Sequence, residues 1–414
     1  MTIKFFLPQN TLLKNIHVSL TDDKHSINCQ FRTCLRISEE EWDFAKQRPK
    51  NIYLKKYKKL NARLDRIKIR ITEYIKERQK QKKLISQRLL SKEIQKISIE
   101  KQEIYPENSL LYFLKNYISS RKEMICPSTF KRYNVFCRLI QRFEGFMMKH
   151  LLIEDINSDF VKDFIVFGKD EEYSENTIYR TIHFVKTILN FVERKGIRTA
   201  VRELEIRRER QHKEVITLTE EEIKRIKATD FPNELKDARD WLLISCYTGQ
   251  RISDFMNFGR EKLKDINGKS CINFVQKKTG KEIVLPLHPT VLNVIRRNEG
   301  NFPKPLYYQK YNEQIKQVAM LAGLAQFIKA RKRSGHRVKD VVIEKWQVLT
   351  SHIGRRSFAT NFYGKIPTPL LMEATGHGTE QMFMKYINPI NNERIVCLSN
   401  YFDKVYGEML ECAV

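Results

Sequence analysis

No apolar run in this 414-residue sequence approaches the ~20 residues that cross a bilayer. The opening stretch from Met1 to Asn10 lacks the long apolar segment of a secretory leader, so a cytoplasmic location is expected. Eight cysteines (Cys29, Cys34, Cys126, Cys137, Cys246, Cys271, Cys397 and Cys412) are scattered without a C-x-x-C pair or ligand-spaced histidines beside them. That spacing argues against a zinc site and leaves small hydrophobes in a reducing compartment. Neither a G-x-x-x-x-G-K-[ST] loop nor a G-x-G-x-x-G turn is present, so no nucleotide cofactor is indicated. With no clustered carboxylates to hold a metal, neither cofactor nor metal is expected. Acidic residues are also short, 49 against 76 Lys and Arg, for a formal charge of +27.

What is present begins with that imbalance. The chain is 41% hydrophobic, enough for packed cores, so the basic excess does not signal general disorder. It signals a polyanionic partner: nucleic acid first, an anionic membrane surface as the rival, and a solvated surface as the plain alternative. Residues 46–101 carry 20 Lys and Arg against 5 acidic residues, a surplus of 15. Within them Leu60, Leu64, Ile67, Ile71, Tyr74 and Ile75 recur at helical spacing, with Arg63, Arg66, Arg70, Lys76 and Arg78 between. Ahead of this basic helix, Ile16–Leu20 and Ile27–Phe31 alternate around a turn at Thr21–Lys24 and predict a β-hairpin. A helix is predicted to start near Ser38–Trp42. Residues 1–105 thus form a sheet-plus-helix module, and 106–197 a bundle of four or five helices, with starts at Pro127–Thr129 and Ser174–Thr177. Residues 198–214 read as a linker. Residues 215–414 open on a Thr219/Glu222 capping box and continue mostly helical, broken by a hairpin of Cys271–Val275 and Lys281–Pro286 around Thr279–Gly280. The fold class is mainly α with small β elements, the last domain mixed α/β.

The third unit holds the informative residues, each weak alone. Arg251 follows a glycine turn at a helix start, where its planar fork can meet an oxyanion. Lys278 sits at the hairpin tip, although a lone hairpin lysine is usually just solvated, and Lys277 and Lys281 compete with it. His352 and Arg355 are three apart, hence on one helix face. His377 follows Gly376, and nine positions on comes Tyr386; Tyr363 and Tyr401 are nearby rivals at other distances. Arg356 points off the His352/Arg355 face, and His336 reads as part of a basic loop.

In order and spacing, Arg, hairpin Lys, H-x-x-R, G-H and Tyr resemble the tyrosine recombinases, the phage-integrase family. The likeness covers the third unit. The bundle resembles that family's core-binding, SAM-like domain, and the N-terminal module looks like an arm-binding domain. The basic arm and the segment Met382–Ile387 look most similar to Bacteroides-type mobile-element integrases. The resemblance implies a site-specific recombinase with Tyr386 as nucleophile, leaving a 3′-phosphotyrosine and a free 5′-hydroxyl. Arg251 and Arg355 would clamp the non-bridging oxygens, Lys278 protonate the leaving 5′-oxygen, His352 assist proton transfer and His377 bond the phosphate. Asp254 matches the family's supporting acidic residue. The implied partners are double-stranded DNA at core and arm sites, a homotetramer, and a DNA-bending accessory protein; no membrane partner is expected.

The chemistry is consistent with the absences. Transesterification keeps the bond energy in the phosphotyrosine, so no ATP is needed. Two guanidiniums can neutralise the phosphoryl oxygens in place of metal ions. The alternatives are a type IB topoisomerase, which uses a similar residue set without a defined site, and a non-catalytic architectural DNA-binding protein. The segment from Arg394 to Met409, with Ile395, Leu398, Phe402 and Val405 at helical spacing, is expected to dock on a neighbouring protomer, the alternative being that it packs on its own domain.

Overall fold

Alternating apolar residues build the first sheet. The computed structural model describes residues 1–8, 13–22, 27–51, 54–83, 85–99, 104–206, 215–334, 337–387 and 399–400. The chain divides into two compact units, Met1–Glu209 with Arg333–Lys339, and Arg210–Lys332 with Asp340–Val414. In the first unit β1 (Thr2–Phe6), β2 (Leu13–Asp22) and β3 (Ile27–Ser38) form an antiparallel sheet in the order β1-β2-β3. Phe5 lies opposite Val18 and Val18 opposite Phe31, so the buried positions share one face. The sheet is covered by α1 (Lys55–Lys80) and α2 (Gln87–Ile99). No side chain caps α1 at Leu54. Its place is fixed by burying Leu60, Leu64, Ile67, Ile71 and Ile75, each worth about 1.5–3 kcal/mol against ~1 kcal/mol for a cap.

Between sheet and helix the structure departs from expectation. Ser38 opens a single 3₁₀ turn, Glu39–Glu41, rather than a helix. Trp42 is fully buried in extended backbone, where β4 (Trp42–Asp43) pairs with β5 (Arg48–Pro49). Burial of that indole outweighs the helix-start signal of the acidic triplet.

The bundle of the first unit comprises α3 (Leu110–Ser120), α4 (Pro127–Met147), α5 (Ser158–Asp170) and α6 (Glu175–Glu193) around a phenylalanine-rich core. The Ser109 and Ser174 hydroxyls cap α3 and α6 by accepting from the Tyr112 and Thr177 N–H groups. Helices α1 and α4 pack together over a buried ion cluster. Asp65 accepts from Arg48 at 2.6 Å and from Arg142 at 2.9 Å, and Arg142 also reaches Glu171 at 3.4 Å.

The second unit starts with α7 (Glu220–Ala228), whose Thr219/Glu222 capping box is formed in both directions. Both Glu222 oxygens also accept from the buried Lys345 ammonium at 2.7 Å. Helix α8 (Asn233–Thr248) is the axis of the unit, buried around most of its circumference. Then come α9 (Ile252–Phe255) and the antiparallel sheet of β6 (Leu263–Ile266), β7 (Lys269–Val275) and β8 (Glu282–Pro286). Helices α10 (Pro289–Arg297) and α11 (Tyr308–Leu321) pack on α8. A hairpin of β9 (Phe327–Ser334) and β10 (Arg337–Glu344) follows where a basic loop was expected; His336 lies outside the described residues. Its strands expose Phe327 and Val342, so alternation there carries no hydrophobic contrast to read. Helix α12 (Ile353–Phe362) packs along α8, and α13 (Thr368–Thr375) and α14 (Glu380–Met384) close a small second core of Phe358, Ala359, Leu371, Phe383 and Ile387. The C-terminal segment from Arg394 to Met409 lies outside the described residues apart from 399–400. No helix among the described residues is long and apolar enough to cross a membrane.

Candidate active site

The end of α8 and the start of α12 meet at Arg355. Gly249 ends α8 in left-handed conformation, and two residues on Arg251 stands at the N-cap of α9 in extended backbone. Its Nη1 donates to Gln276 Oε1 at 3.1 Å. Asp254, one turn later and buried, turns toward the hairpin: its Oδ1 accepts the Lys277 N–H at 2.9 Å. Lys278 is exposed in the turn between β7 and β8, which closes through the Gly280 N–H donating to the Gln276 carbonyl at 2.8 Å. The turn is also tied by its side chains, since the Thr279 hydroxyl donates to Gln276 Oε1 at 2.8 Å.

Arg355 has no exposed surface. Its Nη1 donates to the Gly249 carbonyl at 2.9 Å, and its Nη2 to the Thr375 carbonyl at 2.8 Å and to His377 Nε2 at 3.0 Å. Its Nε is buried without a partner. Burial and the charge of Arg251 pull its pKa down to about 10, opposed by the Tyr386 hydroxyl and Asp254. It remains a cation at neutral pH.

That cation fixes the tautomer of His377. Arg355 can only donate, so Nε2 is the acceptor and Nδ1 carries the proton, facing Thr375 Oγ1 at 2.8 Å. The Thr375 hydroxyl in turn donates to the Leu371 carbonyl at 2.6 Å. Burial, then Arg355 and Arg251, push the His377 pKa down to about 3, so the ring is neutral. His352, at the N-terminus of α12, has a lowered pKa from lost hydration and then from Arg356, Arg355, Arg251 and Lys278.

Tyr386 follows α14, half-buried against the small core. Its ring centroid lies 5.0 Å from that of His377 and 5.5 Å from the Arg355 guanidinium carbon. Its carbonyl accepts from the Thr360 hydroxyl at 3.1 Å, tying it to α12. Tyr363 packs on Phe383, and Tyr401 lies outside the described residues. Arg355, His377 and Tyr386 are thus in direct contact, and Arg251 and the Lys278 turn join them through Gln276 and the Thr375 carbonyl. His352 stands at the start of α12, and Asp254 lies behind the Lys278 turn. Sequence reasoning missed Gln250, Gln276 and Thr375. Alongside local bonds, Gln250 reaches the Ala374 carbonyl, Gln276 reaches Arg251 and the Thr375 carbonyl, and that carbonyl accepts from Arg355, long-range relations that leave no spacing to detect.

The phage integrase family matches residues 216–393, the phage integrase SAM-like domain residues 109–200, and an arm DNA-binding domain residues 15–91. Among solved structures, a Tn1549 transposon integrase with circular intermediate DNA is 13% identical over 71% of this chain and 99% of its own, with a TM-score of 0.52. The same integrase with transposon right end DNA is 13% identical over 74% and 100%, at 0.50. A lambda integrase dimer bound to a core site is 17% identical over 67% and 95%, at 0.48. At such identities the likeness speaks of fold alone. No curated protein matches the chain by sequence. Domain content and fold define a tyrosine-type site-specific recombinase. The chain belongs to the phage integrase family, with arm DNA-binding and SAM-like domains ahead of the integrase domain.

Proposed function

We propose that Tyr386 is the nucleophile of this recombinase and that it acts on a phosphodiester of double-stranded DNA. The observation that carries this reading is Arg355: fully buried, bound to neutral His377, with the Tyr386 ring beside it. The Tyr386 oxygen forms the new bond to phosphorus while the bond to the 5′-oxygen breaks. The products are a 3′-phosphotyrosine and a 5′-hydroxyl, and a 5′-hydroxyl from another strand reverses the step. Arg251 and Arg355 face the non-bridging oxygens, where charge builds in the transition state. Lys278 gives its proton to the leaving 5′-oxygen. The lowered pKa of His352 keeps that imidazole unprotonated near neutral pH, the form that can take the Tyr386 proton. His377 orients Arg355 through Nε2 and supplies the phosphate with a neutral neighbour.

Each chain offers one such tyrosine, and exchanging both strands of two duplexes needs four cleavages, so the working assembly in this reading is a homotetramer. Residues 1–105 are assigned to arm sites, 106–197 and 215–414 to the core site, and 198–214 to the link between them. Bending of the DNA falls to an accessory protein, and the reaction to the bacterial cytoplasm. The test is a nicked suicide duplex carrying the element's end. Wild type should form a covalent protein–DNA adduct that Tyr386→Phe abolishes; an adduct surviving that substitution removes Tyr386 as nucleophile. Loss of the adduct on scrambling the site separates recombinase from topoisomerase.

A further inference from the structure

The residue just past β7 carries a side chain to which the reaction above gives no role. Gln276 is fully buried, and its amide makes four hydrogen bonds. Oε1 accepts from Arg251 Nη1 at 3.1 Å and from the Thr279 hydroxyl at 2.8 Å. Nε2 donates to Gln250 Oε1 and to the Thr375 carbonyl, both at 3.0 Å. Only this orientation works, because the flipped amide would set donors against Arg251 and an acceptor against two acceptors. Gln250 is held in turn, donating to the Thr248 carbonyl at 2.8 Å and the Ala374 carbonyl at 2.7 Å. The Thr375 carbonyl is also the oxygen that accepts Arg355 Nη2. One amide therefore touches Arg251 and the Lys278 turn directly and shares an acceptor with Arg355. On the other side of the turn, Asp254 holds the Lys277 N–H. Lys278 is thus presented between two anchors.

We propose that Gln276 is a positioning residue for strand cleavage, holding the Arg251 guanidinium and the Lys278 turn in register with Arg355 through the Thr375 carbonyl. The inference rests on the reading of Arg251, Lys278 and Tyr386 given above. A guanidinium or general acid displaced by about 1 Å can lose ~100-fold in rate, so one amide fixing both has leverage without touching DNA.

The experiment uses the full-length protein in single-turnover cleavage of the suicide duplex, with a normal or a 5′-bridging phosphorothiolate linkage at the scissile position. Gln276→Leu matches the volume but removes every bond. It should slow cleavage by at least ~10-fold at saturating protein, with duplex affinity unchanged. Gln276→Glu keeps the acceptor for Arg251 and Thr279 and should cleave faster than Gln276→Leu. A packing role alone predicts the opposite order, because Glu brings a charge into a buried site. The sulfur leaving group departs without a proton, so it should narrow the Gln276→Leu deficit by the share that Lys278 supplies. A deficit unchanged by sulfur overturns the link to Lys278. A Gln276→Leu protein that cleaves at the wild-type rate, or faster than Gln276→Glu, overturns the inference while leaving the nucleophile intact. An adduct that survives Tyr386→Phe overturns both.

Discussion

Gly376 offers a measure of how tightly the buried amide cluster is held. It adopts a φ of +70°, and a Cβ built there would meet Gln276 Oε1 at 2.5 Å, Nε2 at 2.7 Å and Cδ at 2.8 Å. Gly268, in the turn between β6 and β7, has a similar φ of +74° but nothing within 4 Å of its Cβ direction. Alanine at either position therefore incurs the same left-handed strain, roughly 1–2 kcal/mol. Only Gly376→Ala must also push aside an amide whose four partners are already matched. Breaking one such bond in a fully buried group adds about 1–3 kcal/mol. The expected losses are about 2–5 kcal/mol for Gly376→Ala and about 1–2 kcal/mol for Gly268→Ala. Urea unfolding followed by tryptophan fluorescence compares them directly, since Trp241 and Trp346 both lie in the second unit and any Trp42 signal is common to both variants. Losses agreeing within about 0.5 kcal/mol, the scatter of near-neutral substitutions, would refute the claim that the cluster resists displacement.

Three further outcomes are expected. His377 has a folded pKa of about 3 against an ordinary 6.5; below 6.5 the unfolded chain binds a proton that the folded site refuses. Stability should then fall as pH drops from 6.5 toward 3, by up to ~1.4 kcal/mol per unit, and His377→Gln should flatten that slope in unfolding titrations; equal slopes contradict the assignment. Asp65→Ala leaves Arg48 and Arg142 without their shared carboxylate, at a cost of about 3–5 kcal/mol in denaturant unfolding, and a loss below ~1 kcal/mol would show the cluster to be hydrated. Lys58→Glu with Lys59→Glu, both exposed on α1, should weaken duplex binding and reduce the slope of log affinity against log salt by up to ~0.9 for each phosphate no longer neutralised. An unchanged slope would place the DNA elsewhere.

What could be read in advance was whatever repeats locally. The helical face of Leu60, Leu64, Ile67 and Ile71, the Thr219/Glu222 box and the four-helix bundle each follow from interactions a few residues apart. The 3₁₀ turn at Ser38 was not legible, because a buried tryptophan and a two-residue strand pair decide it. Nor was the β9–β10 hairpin, where Arg331 meets Asp340 across strands that leave Phe327 and Val342 exposed. Motif order alone singled out the candidate site residues. The amides that hold them were not, because Gln276 donates to a carbonyl 99 positions away and Gln250 to one 124 away.

The same contrast explains how a chain of +27 keeps two kinds of cation apart. Exposed lysines such as Lys58 and Lys59 lose little in water and contribute to a long-range field that salt can screen. Arg355 is the opposite case. An isolated guanidinium would not be buried at all, since desolvation costs far more than a surface contact returns. It is tolerated because the Gly249 and Thr375 carbonyls and a neutral His377 accept its protons before any ligand arrives. Its orientation is then set by the protein itself, and in the proposed reaction little reorganisation would remain to be supplied when charge develops on a phosphate. The buried Nε, left without a partner, is the one nitrogen of Arg355 that this prebuilt arrangement does not use. A charge meant only to hold DNA needs no such enclosure, so burial, rather than basicity, sets Arg355 apart from the exposed lysines.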